Sequence, residues 1–217
     1  MNTKLSVLVA VALVTISLCG LSGCDITSHE PTVSASQPGN PPPSVESVPN
    51  PDLSMSVEDA YAAIPHRRTA MNFDTSKLSE ADRRYLAVAF NVIDQSIRLR
   101  VTAYRRFSDS PDAANLISEM DRMIDFMQKV PPPARLTAYH ELLTKALSDQ
   151  RAFFADWQSA GQQFQYGSPG KLASHPKVQS ASNELRQAYQ ILMNEYSGED
   201  SHNQDAFFDY HCALDFL

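Results

Sequence analysis

The last seventeen residues, SHNQDAFFDYHCALDFL, hold the densest set of side chains able to do chemistry. His202, Asp205, Asp209 and Cys212 recur at intervals of three, four and three, which places them on one face of a helix. Imidazole, carboxylate and thiolate are all metal-ligand types. Length argues against a shared ion. His202 and Cys212 are ten residues apart, about 15 Å along a helix at 1.5 Å per residue. One ion cannot take all four, and a solvated acidic face is the plainer reading. No metal and no other cofactor is expected. His211 falls with Phe207, Phe208 and Leu214, as a core histidine would.

A second group is Ile64-Pro65-His66-Arg67-Arg68-Thr69, three adjoining cations in an otherwise acidic chain. Proline disfavours helix at the residue before it, so this is a turn or connection. Guanidinium forks match carboxylates and phosphates. His66, Arg67 and Arg68 are therefore candidates for an anion-binding loop. The competing reading pairs them with acids on neighbouring helices.

Arg100 is a third. It lies seven residues after Ile93 and seven before Phe107, on the apolar side of its segment, whereas Arg98, Arg105 and Arg106 read as solvated. A buried arginine without a partner is strongly destabilising. Either Arg100 snorkels to the bundle edge or it marks a polar site inside, with Asp121, Asp125 or Asp156 as partner. Met120, Met123 and Met127 form a stripe at helical spacing, read as core rather than as an adaptable binding surface. The segment from Gln150 to Trp157 carries two phenylalanines and the sole tryptophan, which suits a central helix. There is no Gly-rich phosphate loop, no C-x-x-C-H, no H-E-x-x-H and no G-x-S-x-G. The chain reads as non-catalytic.

These residues must be positioned by helices. No alternating strand pattern persists, and apolar residues recur at three and four. Ser56 with Asp59 caps a short helix through Ala63. Ser79 starts a long one to about Phe107, with Leu86, Phe90, Ile93, Ile97, Tyr104 and Phe107 inward. Ser110-Pro111 opens another, carrying Leu116 and the methionines, and Pro131-Pro132-Pro133 stops it. The next runs from about Ala134 to Phe164, with Leu136, Tyr139, Leu143, Leu147, Phe154 and Trp157 inward. Ser174-His175-Pro176 begins a helix reaching Tyr196, after a loop holding Gly167 and Gly170. Ser201 and Gln204 form a capping box for the last helix. The expected fold is all-α: an antiparallel bundle of about four long helices with short flanking helices.

The start of the chain concerns address. Lys4 precedes an apolar run from Leu5 to Leu18, too short for a spanning helix of about 20 residues. A charged start, an apolar middle and small residues at the end have the form of a secretory signal. Leu21-Ser22-Gly23-Cys24 resembles the lipobox of bacterial lipoproteins. That resemblance implies a diacylglycerol on the Cys24 sulfur, cleavage before it and acylation of the new amino terminus. Each buried methylene contributes about 0.8 kcal/mol, so two or three chains anchor firmly. Asp25 resembles the signal that retains such lipoproteins in the inner membrane.

Cleavage removes Lys4 and no acid, so the formal charge moves from −7 to −8. An acidic chain does not seek nucleic acid through bulk electrostatics. Cys19 leaves with the signal and Cys24 takes lipid, so Cys212 has no partner for an intramolecular disulfide and the core must hold the fold. Residues 25–54 carry seven of the fourteen prolines and no aromatic residue, the composition of a disordered tether. The expected organisation is a signal at 1–23, a lipidated tether at 24–54 and a bundle at 55–217. The expected role is binding or interaction at the envelope, with a membrane anchor, a protein partner and no nucleic acid. The alternative is a small-ligand, metal or haem module within the bundle, and an envelope hydrolase comes last.

Overall fold

Apolar spacing of three and four yields helices and turns and, among the described residues, no strand. The computed structural model describes residues 43–64, 66–107, 114–160 and 172–215. Six α-helices follow one another there: α1 (Val57–Ala62), α2 (Glu80–Phe107), α3 (Ala114–Lys129), α4 (Thr137–Ala160), α5 (Pro176–Glu195) and α6 (Ser201–Asp215). Short 3-10 turns cover Val45–Ser47 and Ala134–Leu136. The signal, Cys24, Pro65, Ser110-Pro111 and the loop holding Gly167 and Gly170 lie outside the described residues.

The caps explain where helices begin. Ser56 accepts the Asp59 amide at 3.0 Å, and Ser79 accepts the Asp82 amide at 3.2 Å. His175 caps α5 through its own ring, whose Nδ1 accepts the Lys177 amide at 3.2 Å ahead of Pro176. The last helix departs from expectation. Its cap is Asp200, whose carboxylate accepts the Asn203 amide at 2.8 Å, rather than Ser201. Gln204 turns back to the carbonyls of Ser197 and Glu199. A carboxylate is a strong cap at the positive end of the helix dipole.

The bundle is an all-α, antiparallel assembly in which α2 is central. It packs against α3, α4 and α6, while α4 packs against α3 and α5, and α5 against α6. Leu86, Ala89, Val92, Ile93, Ile97 and Leu99 are all fully buried, which is most of the circumference of α2 rather than one stripe. Full burial of such side chains stabilises by about 1.5–3 kcal/mol each. The inward residues expected on α3 and α4, the methionines included, are buried. Tyr104 departs from expectation on α2: it is 46% exposed and leans edge-on against Trp157, and the side chain of Phe107 lies outside the described residues. Nor is α6 a mere flank, because Ala206, Phe207, Ala213 and Leu214 enter the core.

The boundary at residue 55 moves. Val48 and Pro51, expected in the tether, are buried against the bundle. Arg98, expected in solvent, is 8% exposed and gathers this segment. Its Nε donates to the Met55 carbonyl at 2.7 Å, its Nη1 to Asn50 Oδ1 at 2.8 Å and its Nη2 to the Leu53 carbonyl at 3.3 Å. Residues 43–64 and 66–79 thus form a strap across α2 and α6 rather than free chain.

Candidate functional site

The strap carries the three candidate cations, and each meets a carboxylate of the chain itself. Arg68 donates to Asp94 Oδ2 at 2.6 Å, and Tyr61 donates its hydroxyl to Asp94 Oδ1 at 3.1 Å. The Arg68 guanidinium also lies over the Tyr61 ring, 5.5 Å from its centroid. Asp94 is 5% exposed. Burial pushes its carboxyl up, and the bonds from Arg68 and Tyr61 only partly offset this. Burial and then the Asp94 charge push the Tyr210 phenol up to about 12. Burial works against the Arg68 cation, but its bond to Asp94 and the attendant charge outweigh that and hold it protonated.

His66 and Arg67 face α6. His66 Nε2 is 3.3 Å from Asp209 Oδ1, and Arg67 Nε is 3.2 Å from Asp209 Oδ2. Arg67 Nη2 donates to Asp205 Oδ2 at 3.0 Å. The Asp209 carboxylate is 2% exposed, whereas Arg67 is 68% exposed. Its contacts fall within ion-pair distance, yet His66 Nε2 and Asp209 Oδ2 make no well-aligned hydrogen bond. The loop therefore binds the acids of neighbouring helices. The forks expected to take an outside anion are already occupied.

The stripe on α6 shares a face, as its spacing requires, but its task is to hold the strap. His202 meets the Ala70 carbonyl at 2.9 Å, Asp205 and Asp209 take Arg67, and Cys212 lies apart, half-buried. Asn203, fully buried between them, donates to the Asn72 carbonyl and accepts the Asn72 amide at 2.9 Å. Among the described residues no three His, Cys, Asp or Glu side chains are grouped to hold a metal ion.

Arg100 is inside the bundle, 2% exposed, and does not snorkel. None of its expected carboxylate partners reaches it at ion-pair distance. Asp121 instead takes Arg151 in a two-pronged pair, 2.8 Å at each contact. Arg100 Nη2 donates to the Ala213 carbonyl, and Gln150 Nε2 donates to the Leu214 carbonyl at 2.7 Å. The last carbonyls of a helix have no partner within it. Here two side chains from α2 and α4 supply the donors, and the cation suits the negative end of the dipole. Burial pulls the Arg100 pKa down to about 10, and the Asp215 charge partly offsets this. The group stays charged at neutral pH.

The histidines do not converge. His140 Nδ1 pairs with the Tyr85 hydroxyl at 3.2 Å, His175 caps α5, and His211 Nδ1 lies 2.6 Å from the Phe207 carbonyl. That last contact makes Nδ1 the protonated nitrogen of His211. Burial drives the His211 pKa down to about 4. A cavity of about 50 Å³ between α5 and α6 touches His211, Cys212 and Phe208. A wider one of about 240 Å³ lies where Tyr85 and Arg84 meet Pro131–Pro133.

Sequence reasoning missed Arg98, Asp94 and Asn203. A signal existed for the first two: each follows an inward isoleucine, Ile97 or Ile93, by one residue, so both border the buried face of α2. No protein-family model matches this chain, and no curated protein or solved structure matches it either.

Proposed function

We propose that this chain is a bacterial envelope lipoprotein, anchored through Cys24, whose helical bundle works by binding a partner rather than by catalysis. The observation that carries the reading is Leu21-Ser22-Gly23-Cys24 directly after an apolar leader. The bundle is consistent with it in one respect. The candidate cations His66, Arg67 and Arg68 and the carboxylates of Asp94 and Asp209 are engaged with one another across elements. They fasten a strap instead of facing a cleft. No helix of the described residues is long and apolar enough to cross a membrane. Attachment by lipid would place the bundle at the membrane without one.

The test has two arms. Fatty-acid labelling in a bacterial host should mark the wild type and not Cys24→Ser, and the mature chain should begin at Cys24. Cross-linking on intact membranes should then trap a partner that is lost when residues 43–217 are replaced by an unrelated domain on the same lipidated tether. An unlabelled chain with a different mature start overturns the anchor. Equal trapping by the domain-swapped chain overturns the role of the bundle.

A further inference from the structure

Arg100 brings a full positive charge into the bundle, and its neighbours leave part of it unanswered. Nη2 donates to the Ala213 carbonyl, but the buried Nε–H has no partner. Ser96 stands one turn earlier on α2, and its buried hydroxyl has no partner either. Both residues line the same small cavity between α2, α3 and α4, of about 20 Å³. Met120, Met123, Gln150 and Phe154 complete much of its wall. At the rim, Arg151 is held by Asp121 through two contacts of 2.8 Å, which ties α4 to α3 over the cavity.

This is a chamber with an unusual electrostatic requirement. A buried cation is costly unless paired. Among the described residues, no carboxylate lies within ion-pair distance of Arg100, and Asp215 acts on it only from farther away. The two unpartnered atoms can both donate. Nε–H has no acceptor capacity, and a serine hydroxyl turns freely to present its proton. The remaining wall is thioether, aromatic and aliphatic, with the Gln150 amide, and no carboxylate is among its lining residues. A water needs about 10–15 Å³, so a space of about 20 Å³ has room for one water or one halide ion.

We propose that this chamber is a binding site for a single halide ion, chloride in nature, held by Arg100 Nε–H and Ser96 Oγ–H. The ion supplies a counter-charge that the described residues do not place beside Arg100, without adding an acid to the core. It has a structural consequence. Arg100 is also the donor that holds the end of α6 through Ala213, so fixing the guanidinium by an anion fixes the docking of the last helix. Halide concentration would therefore set how firmly α6 is seated. This does not depend on lipidation, and it is independent of any partner.

The experiment uses the full-length chain in detergent, melted at constant ionic strength while gluconate is replaced stepwise by chloride or bromide. A ligand that binds the folded state alone raises stability by mass action, so the melt should rise and saturate. Arg100→Met should abolish the response. Ser96→Ala is the milder variant and decides the matter if Arg100→Met does not fold. It should move the half-saturating halide concentration up about tenfold, as loss of one charge-assisted hydrogen bond would. Crystals grown in bromide should show an anomalous peak within hydrogen-bonding distance of Arg100 Nε and Ser96 Oγ. Superimposable melts in all salts, an unchanged response in Ser96→Ala, or a water without anomalous signal at that position would each overturn the proposal.

Discussion

The Arg98 guanidinium on α2 donates to the Met55 backbone carbonyl at 2.7 Å, and by this contact and two others the N-terminal strap is held to the bundle. Val48 is buried there and Leu53 and Met55 pack against the core, while Val45 is exposed. The polar bonds of Arg98 add to that packing. Arg98→Met keeps most of the aliphatic stem and removes every donor. It leaves the carbonyls of Met55 and Leu53 and the side chain of Asn50 without their partner. Hydrogen bonds to a charged group contribute about 1.5–3 kcal/mol, so the expected loss is about 2–4 kcal/mol in a urea melt. Limited proteolysis should cut between residues 48 and 56 well before wild type is cut. A wild-type digestion pattern would show that the strap is held by its few apolar contacts.

Asp209 and Asp205 sit four residues apart on α6 and share Arg67, yet they should respond differently to neutralisation. Asp209 is buried and also faces His66, while Asp205 is 55% exposed. Exposed pairs contribute about 0–1 kcal/mol. Breaking a fully buried pair costs about 3–5 kcal/mol, and here the solvent exposure of Arg67 reduces that. Asp209→Asn should cost about 1–3 kcal/mol, and Asp205→Asn under about 0.5 kcal/mol. Chemical denaturation of the two variants side by side measures this. Equal losses would mean that burial does not distinguish the two carboxylates.

The helices are legible in the chain because apolar spacing and caps such as Ser56, Ser79 and Pro176 are local signals. The shared face of His202, Asp205 and Asp209 is also legible, since helical geometry alone fixes it. Its purpose is not. Those residues meet Arg67 and Ala70, more than 130 positions away in sequence, and no local pattern encodes that pairing. Arg98 misleads for a related reason. Charge predicts solvent unless the backbone carbonyls it will collect are known, and these, Leu53 and Met55, lie at the edge of a proline-rich segment that composition assigns to a tether. Arg100 is legible on the apolar side of α2 from its register, but the choice between snorkelling and burial is not. Nor is its partner, because a helix-terminal carbonyl carries no sequence signature.

Leu143 tests the depth of the core. It lies near the second turn of α4 and is fully buried. Leu→Ala at such a site removes transfer free energy and leaves a cavity, together worth about 2–5 kcal/mol. Tyr139 and Ala146, about one turn to either side on the same helix, are also fully buried, so the surroundings are closely packed and should collapse poorly. The expected loss therefore lies in the upper half of that range. An unfolding free energy within about 1 kcal/mol of wild type would mean that the site relaxes around the smaller side chain.

His211 sets the acid limb of stability. Its Nδ1 is 2.6 Å from the Phe207 carbonyl, its Nε2 is buried without a partner, and burial holds its pKa down to about 4. The ordinary value is about 6.5. The unfolded chain thus takes up this proton before the folded one does. The stability that comes from keeping the ring neutral is complete above about pH 6.5 and is lost as pH falls from there through about 4. One pKa unit corresponds to about 1.4 kcal/mol, so the loss approaches ~3 kcal/mol. Asp94 acts in the opposite sense. Its carboxyl is raised in the folded state, so its contribution is present at low pH and declines as pH rises above the usual carboxylate range. Comparison with a variant cancels that background. His211→Asn retains a donor of similar reach toward Phe207 and cannot titrate. Urea melts at pH 7 and pH 4 should show the wild type losing ~3 kcal/mol more than His211→Asn over the interval. Parallel pH curves for the two proteins would show that the ring accepts its proton in the folded state, and that the core opens to water beside α6.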